Sequence, residues 1–328
     1  MPDPTGALAP RPAHVPLPAA AAATPTAGQR VQYALVRSLE AAFRLLPVDV
    51  GSALMGLGWR IVAPRLHRHR RALAHLALAL PEVPPQERER IAKAMWRHLG
   101  RVTAEAVVID RLIEDTARVE LPADFDRFVE RARNGAILPT LHLGNWEVAP
   151  IGPRLAGLSL AAVYQPIRNP LVERRLKAVR AAAFPGGLHP KGAATGRALI
   201  ALAKRGGAIG IVADVREHRG VDVTFFGEPA TATPLPAMLA RVAGLPLIAG
   251  AMVRTRGVRF RYLVEEVEVP VTQDRTEDIR VATQRLHDVF ERWIRAHPDQ
   301  WMWAHRKWVA TASGEGARIR HRRRGAAP

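Results

Sequence analysis

His142 and Glu147 stand five positions apart in Leu138-Pro-Thr-Leu-His-Leu-Gly-Asn-Trp-Glu147. A neutral imidazole can take the proton of a hydroxyl while that oxygen attacks a thioester, help worth ~10²–10⁴ in rate. A carboxylate beside it would fix the ring's tautomer and stabilise the imidazolium. Five positions do not put two side chains on one helix face, but a strand–turn–helix junction can make them converge. The apolar run ends at His142, Gly144 permits a sharp turn, and Asn145 is a good N-cap. Glu147 is therefore expected in the first turn of a helix over about 146–156, where the helix N-terminus would keep it ionised. Taken alone the pair is a weak pattern, since a structural histidine at a turn produces it more often.

The elements that must hold this junction follow from periodicity. Past Arg118 short β-type runs alternate with helical stretches. The runs are Ala136–Leu141, Leu160–Tyr164, Ala208–Ala213, Val221–Phe226, Pro246–Val253 and Val258–Val264, with helices expected at about 146–156, 170–184, 194–205, 234–244 and 277–296. Strands alternating with helices predict an α/β fold, a mixed central sheet flanked by helices. Ligands and catalysis favour the edge of such a sheet.

Upstream the pattern is helical. Val31, Leu35, Leu39 and Phe43 recur every four residues until Pro47 interrupts, and Val48 to Leu66 forms a second apolar stretch. It runs into Arg65, His67, Arg68, His69, Arg70 and Arg71. An amphipathic element ending in a basic run is what an interfacial membrane anchor looks like, although a solvated helix face reads similarly. Residues 86–113 form a further helix with Ile91, Met95, Trp96 and Leu99 on a common face. The expected organisation is an Ala/Pro-rich disordered tail over 1–28, a membrane-proximal helical region over 29–115, an α/β core over 116–312, and a basic disordered tail over 313–328.

Composition narrows the function classes. Of 328 residues 48% are hydrophobic, so a sizeable core can form, and the absence of cysteine excludes disulfides, thiolate metal sites and a thiol nucleophile. The net charge of +18 points to anionic partners. No basic stripe interleaved with aromatics, zinc finger or ribonucleoprotein signature accompanies it, so nucleic acid is not the expected partner. No segment reaches the ~20 apolar residues of a membrane-spanning helix, and the first residues lack a secretory pattern. Gly157-Leu-Ser-Leu-Ala161 is a poor nucleophile elbow, because Ser159 precedes its strand. There is no phosphate-binding loop, dinucleotide fingerprint or zinc-protease motif. No cofactor and no metal are expected.

Several ordered motifs now identify a family resemblance. His142-Leu-Gly-Asn-Trp-Glu147 resembles the histidine–four residues–acidic motif of the late acyltransferases of lipid A biosynthesis, the lauroyl and myristoyl transferases. Val163-Tyr-Gln-Pro-Ile-Arg-Asn-Pro170 is similar to that family's Tyr-Arg-Pro…Asn-Pro segment. Asp214 followed by Val221-Asp-Val-Thr-Phe-Phe-Gly227 resembles its block ending in Phe-Phe-Gly. Pro246-Leu-Ile-Ala-Gly-Ala-Met-Val-Arg254 is similar to the proline-led strand of glycerolipid acyltransferases, and His297-Pro-Asp-Gln-Trp-Met-Trp-Ala-His-Arg-Lys307 resembles the family's closing signature. The resemblance covers roughly residues 30–310.

It implies transfer of a fatty acyl chain from acyl carrier protein to a hydroxyl of an anionic lipid A precursor, on the cytoplasmic face of the inner membrane. His142 and Glu147 are then catalytic, and Asn145, Arg168, Asn169, Asp214 and Gly227 are the expected substrate-binding set. Arg168 could stabilise the oxyanion or bind an acceptor phosphate, and Asn169 could equally fix the turn before Pro170. Asp214, at a strand's carboxyl end, could instead pair with Arg216 or Arg219. Phe225, Phe226 and Gly227 read as a hairpin or loop shaping the acyl groove. Trp301, Trp303 and Trp308 read as packing groups, and His67, His69 and His305 as surface or packing residues. Two departures bear on the acceptor: Asp214-Val215-Arg216 stands where the family commonly has Asp-Gln, and Gln165 replaces the expected Arg. The alternatives are another lipid acceptor, such as a glycolipid, lysophospholipid or aminolipid, and a catalytically inactive membrane- or nucleic-acid-binding relative.

Overall fold

The computed structural model describes residues 24–308. The expected tails therefore lie outside the described residues, apart from 24–28. Helix α1 (Ala27–Leu45) begins at Thr26, whose side chain accepts from the Gln29 N–H while the Gln29 side chain accepts from Thr26 N–H. This reciprocal cap satisfies two otherwise orphaned donors. Pro47 then breaks the chain before α2 (Val48–Val62), and a 3₁₀ turn (Ala63–Arg65) leads into α3 (His67–Ala79). Most of the basic run thus belongs to α3. Helix α4 (Pro85–Val107) buries Ile91, Met95, Trp96 and Leu99, the face its periodicity predicts, and the short α5 (Ile109–Leu112) follows.

The rest of the chain builds a mixed sheet. Its strands are β1 (Val119–Glu120), β2 (Ala136–Thr140), β3 (Leu160–Tyr164), β4 (Gly187–Pro190), β5 (Ala208–Val212), β8 (Leu247–Arg256) and β9 (Arg259–Val267), in the order β1-β9-β8-β2-β5-β3-β4. Every neighbouring pair is parallel except β8 with β9. Strands β6 (Arg216–Phe225) and β7 (Glu228–Ala232) form a separate antiparallel hairpin. Around the sheet lie α6 (Phe125–Ala132), α7 (Ile151–Leu155), α8 (Pro170–Arg180), α9 (Ala193–Lys204), α10 (Leu235–Ala243) and α11 (Arg275–Ala296). Strands β2, β5 and the stretch of β8 up to Val253 are apolar apart from Thr140, with Ile137, Ile209 and Ala249 fully buried. Helices covering both faces of a parallel sheet demand this continuous apolar pattern.

One expected helix is much shorter than its sequence pattern. Only Ile151–Leu155 of 146–156 is helical, so Glu147 lies in the preceding turn instead of a first helical turn. The cause is local: Asn145 Oδ1 accepts the Glu147 N–H at 3.0 Å, and Pro150 precedes the helix. An Asx turn of this kind competes with helical hydrogen bonding. Among the described residues, no helix is long and apolar enough to cross a membrane.

Candidate active site

Strands β2 and β5 run parallel with Thr140 paired to Val212. Two residues beyond those partners, the chain reaches His142 on one strand and Asp214 on the other, so both side chains emerge at the same carboxyl edge. His142 Nδ1 and Asp214 Oδ1 are 2.9 Å apart, and the His142 backbone N–H donates to Asp214 Oδ2 at 2.9 Å. Trp301 Nε1 donates to the same Oδ2 at 2.8 Å. Burial by itself would raise this carboxyl. The positive field of His142, its hydrogen bond, His305 and Trp301 outweigh burial and hold Asp214 well below the usual carboxylate range. An acceptor carboxylate at Nδ1 fixes the tautomer that leaves Nε2 able to accept a proton.

The turn after His142 is held by its backbone. Gly144 has φ of 59°, and a Cβ there would stand 2.0 Å from the Met252 carbonyl oxygen. Only glycine fits so close an approach. The Asn145 N–H donates to that same carbonyl, and Gly144 N–H donates to the Gln300 carbonyl.

Glu147 faces the same cavity but has a different partner from the one expected. Arg180 Nε donates to its Oε2 at 2.9 Å, and Arg180 Nη2 pairs with Oε1. The carboxylate at the imidazole Nδ1 is Asp214, brought from 72 positions away by the parallel strand pairing. Asp214 pairs with His142 and Trp301, and not with the nearby arginines.

The cavity measures about 470 Å3 and is lined by His142, Glu147, Arg180 and His305 on its polar side. Leu138, Leu160, Ala162, Phe184, Leu188 and Ile211 give it an apolar wall. A large, mostly apolar pocket with a few convergent polar groups is the usual form of a small-molecule site. Trp146 meets the His142 ring edge-on at 4.8 Å between centroids. His305 lies closer still, its ring centroid 4.4 Å from that of His142 at a 53° tilt. Burial first, then the adjacent His142, depresses His305 to about 4, so it is neutral at neutral pH. Among the described residues, no group of three or more His, Cys, Asp or Glu side chains could hold a metal ion.

The other expected binding residues are dispersed. Asn145 is fully buried, with Nδ2 donating to Glu105 Oε2 at 2.6 Å and Oδ1 closing the Asx turn. Asn169 is buried too. Its Oδ1 caps α8 through the Leu171 N–H, and its Nδ2 donates to the Gln29 carbonyl and Gln32 Oε1, docking α1 on α8. Gly227, with φ of 74°, forms the β6–β7 turn beside Phe226. Arg168 is exposed on the loop before α8, and Gln165 is the residue of that loop that lines the cavity. Trp301, Trp303 and Trp308 pack with Phe225 and Phe226 in the core, as expected.

Sequence reasoning missed three participants: His305, Arg180, and Asp214 as the imidazole's partner. His305 stood within the closing signature, and that was its only signal. Arg180 carried none, because nothing local distinguishes it from its neighbours on a basic helix.

The chain matches the model of the family described as bacterial lipid A biosynthesis acyltransferase over residues 27–310. It is also 25% identical over 278 residues to the lipid A biosynthesis lauroyltransferase of Escherichia coli (strain K12), covering 80% of this chain and 87% of that protein. A match across nearly the whole chain, together with a cavity built on the motif histidine, makes this protein an acyltransferase of the bacterial lipid A biosynthesis family.

Proposed function

We propose that the protein transfers a fatty acyl group from acyl carrier protein to a hydroxyl of a lipid A precursor, with His142 as general base. The observation that carries this reading is the His142–Asp214 pair, which opens on a largely apolar cavity. His142 Nε2 takes the proton of the acceptor hydroxyl as its oxygen bonds to the thioester carbonyl carbon. The tetrahedral intermediate collapses, the carbon–sulfur bond breaks, and the imidazolium returns the proton to the departing sulfur. Asp214, and not Glu147, orients the ring and stabilises the imidazolium. Glu147 acts with Arg180 on the cavity wall, where the pair sets a polar surface beside the reacting groups. The apolar wall receives the acyl chain.

The enzyme sits at the cytoplasmic surface of the inner membrane. Helices α1 and α2 support this seat, because Val31, Leu35, Leu39, Leu54, Leu57 and Ile61 are exposed along them. Contiguous exposed apolar side chains on amphipathic helices favour the boundary between headgroups and acyl chains.

Acyl transfer is measured with purified protein, acyl-loaded carrier protein and a lipid A precursor, the product identified by mass spectrometry. His142→Ala lowers kcat by ~10²–10⁴ while the melting temperature holds. Near wild-type turnover by this variant overturns the mechanism, and no transfer by the wild type overturns the reaction.

A further inference from the structure

Three arginines belong to the two elements that meet on the His305 side of the cavity, α3 and the closing segment. Arg68 and Arg71 lie on α3, and Arg306 follows His305. Arg71 Nη1 donates to the Ala304 carbonyl at 3.1 Å, which ties α3 to the closing segment two residues before Arg306. Arg71 is depressed by burial and then by the charges of Arg306 and Arg68, with no acidic group among the described residues acting on it. Glu89, the carboxylate that faces α3, is committed to His69 and Lys93. Other buried or half-buried arginines do have acidic partners, as in Arg44–Asp110, Arg118–Asp49 and Arg254–Glu105. The cluster also adjoins the chemistry, since Arg68 and Arg71 both act on His305, whose ring lies 4.4 Å from His142 and lines the cavity.

Like charges on adjoining elements repel one another, and the repulsion is relieved when an anion sits between them. Guanidinium forks match the paired oxygens of a phosphate better than any other side chain does. We propose that Arg68, Arg71 and Arg306 form a phosphoryl-binding site beside the cavity, which holds a phosphate carried by one of the two substrates. The inference rests on the acyl-transfer reading and deepens it. A phosphate reaches this position from either of two sources, the prosthetic arm of the acyl donor or the phosphorylated headgroup of the acceptor. Both offer the same chemistry to the arginines.

The test has two kinetic arms and one binding measurement on the full chain. KM is determined for acyl-phosphopantetheine against acyl-pantetheine, and for the phosphorylated acceptor against its phosphatase-treated form. In one arm the wild type prefers the phosphorylated substrate by tenfold or more, and that ratio collapses toward one in Arg71→Gln and Arg306→Gln. The arm that collapses identifies the source. Inorganic pyrophosphate raises the wild-type melting temperature, and the rise is lost in the same variants. Arg306 is exposed, so its substitution leaves folding intact, and Arg71→Lys, which keeps charge without the fork, recovers only part of the preference. Unchanged ratios in both arms overturn the inference. So does a loss confined to anionic-vesicle binding, which would assign the cluster to the membrane. If the wild type transfers no acyl chain, the acyl-transfer reading fails, and pyrophosphate alone decides the cluster: a shift lost in the variants sustains the site, and no shift overturns it.

Discussion

Two buried polar clusters flank the turn between His142 and Glu147, and they are finished to different degrees. On one side Glu105 of α4 is fully buried and has four donors. Ser52 of α2 and Arg254 Nη1 of β8 serve Oε1 at 2.5 and 2.8 Å, while Asn145 Nδ2 and Arg254 Nη2 serve Oε2 at 2.6 and 2.7 Å. His98 Nε2 adds a bond to the Gly144 carbonyl at 2.8 Å. On the other side Asp214 accepts three hydrogen bonds, but its ring partner turns toward the cavity and the neighbouring His305 Nε2 is buried without a hydrogen-bond partner among the described residues. A closed network rigidifies the elements that meet in it, whereas unused hydrogen-bonding capacity beside a cavity is capacity left for a substrate. Glu105 joins α2, α4, β8 and the turn, so the closed cluster holds the open one in place.

The largest effect expected from this contrast is on turnover. Asp214→Asn preserves shape but offers the ring an amide, and should lower kcat by ~10³–10⁴, the scale on which a wrong tautomer acts. Glu147→Gln, which leaves the His142–Asp214 pair intact, should cost distinctly less. Steady-state kinetics on both variants, with melting curves as a control, checks the order. Equal losses would return Glu147 to the role of the imidazole's partner.

Glu105→Ala should act on stability instead. It leaves the Arg254 guanidinium buried without its carboxylate, a loss of ~3–5 kcal/mol when one partner of a buried pair is removed. Denaturant unfolding measures it, and a Glu105→Leu/Arg254→Met double variant should regain much of the loss. If Glu105→Ala unfolds at the wild-type midpoint, the closed cluster is not what holds the turn.

The smallest effect is in the pH dependence of stability, to which His98 of the closed cluster, His305 of the open one and His287 of α11 contribute. Burial depresses His98 and His287 to about 3 and His305 to about 4. An unfolded histidine titrates near ~6.5, so the unfolded chain binds protons that the folded chain refuses. Their stabilising contribution is complete above ~6.5 and is lost progressively as pH falls toward about 4 for His305 and about 3 for the other two. The melting temperature should fall over this window, and His305→Gln should make the fall shallower. A melting temperature that stays flat from pH 7 to pH 4 would mean these rings take up protons without unfolding.

Most of the strands and helices were legible from periodicity, and local signals explain why. Leu160–Tyr164 is a short apolar run bounded by turn residues and is a strand with those bounds. Pro170 after Asn169 marks the start of α8, and Arg275–Ala296 carries a helical stripe long enough to leave no alternative. Strands β1 and β4 were not legible because two and four residues give too little periodicity, and β7 was not because Glu228-Pro-Ala-Thr-Ala232 has a proline and no apolar run. Helix α7 fell short because a single asparagine hydrogen bond redirected its first turn.

The sequence by itself determined that His142 follows closely on an apolar strand, which in fact ends at Thr140, and that the ordered motifs belong to one family, since both depend on neighbours in the chain. It could not determine which carboxylate meets the imidazole. Glu147 is nearer along the chain, but its side chain meets Arg180 from α8, a residue 33 positions on. Asp214 is far along the chain and reaches His142 because parallel pairing of β2 and β5 sets both strand ends level. His305 arrives through the antiparallel bridge of Leu143 with Trp301, just before it in the closing segment. Strand register and sheet order are tertiary facts, fixed by the packing of the whole core, and they decided which of many acids and histidines share one cavity.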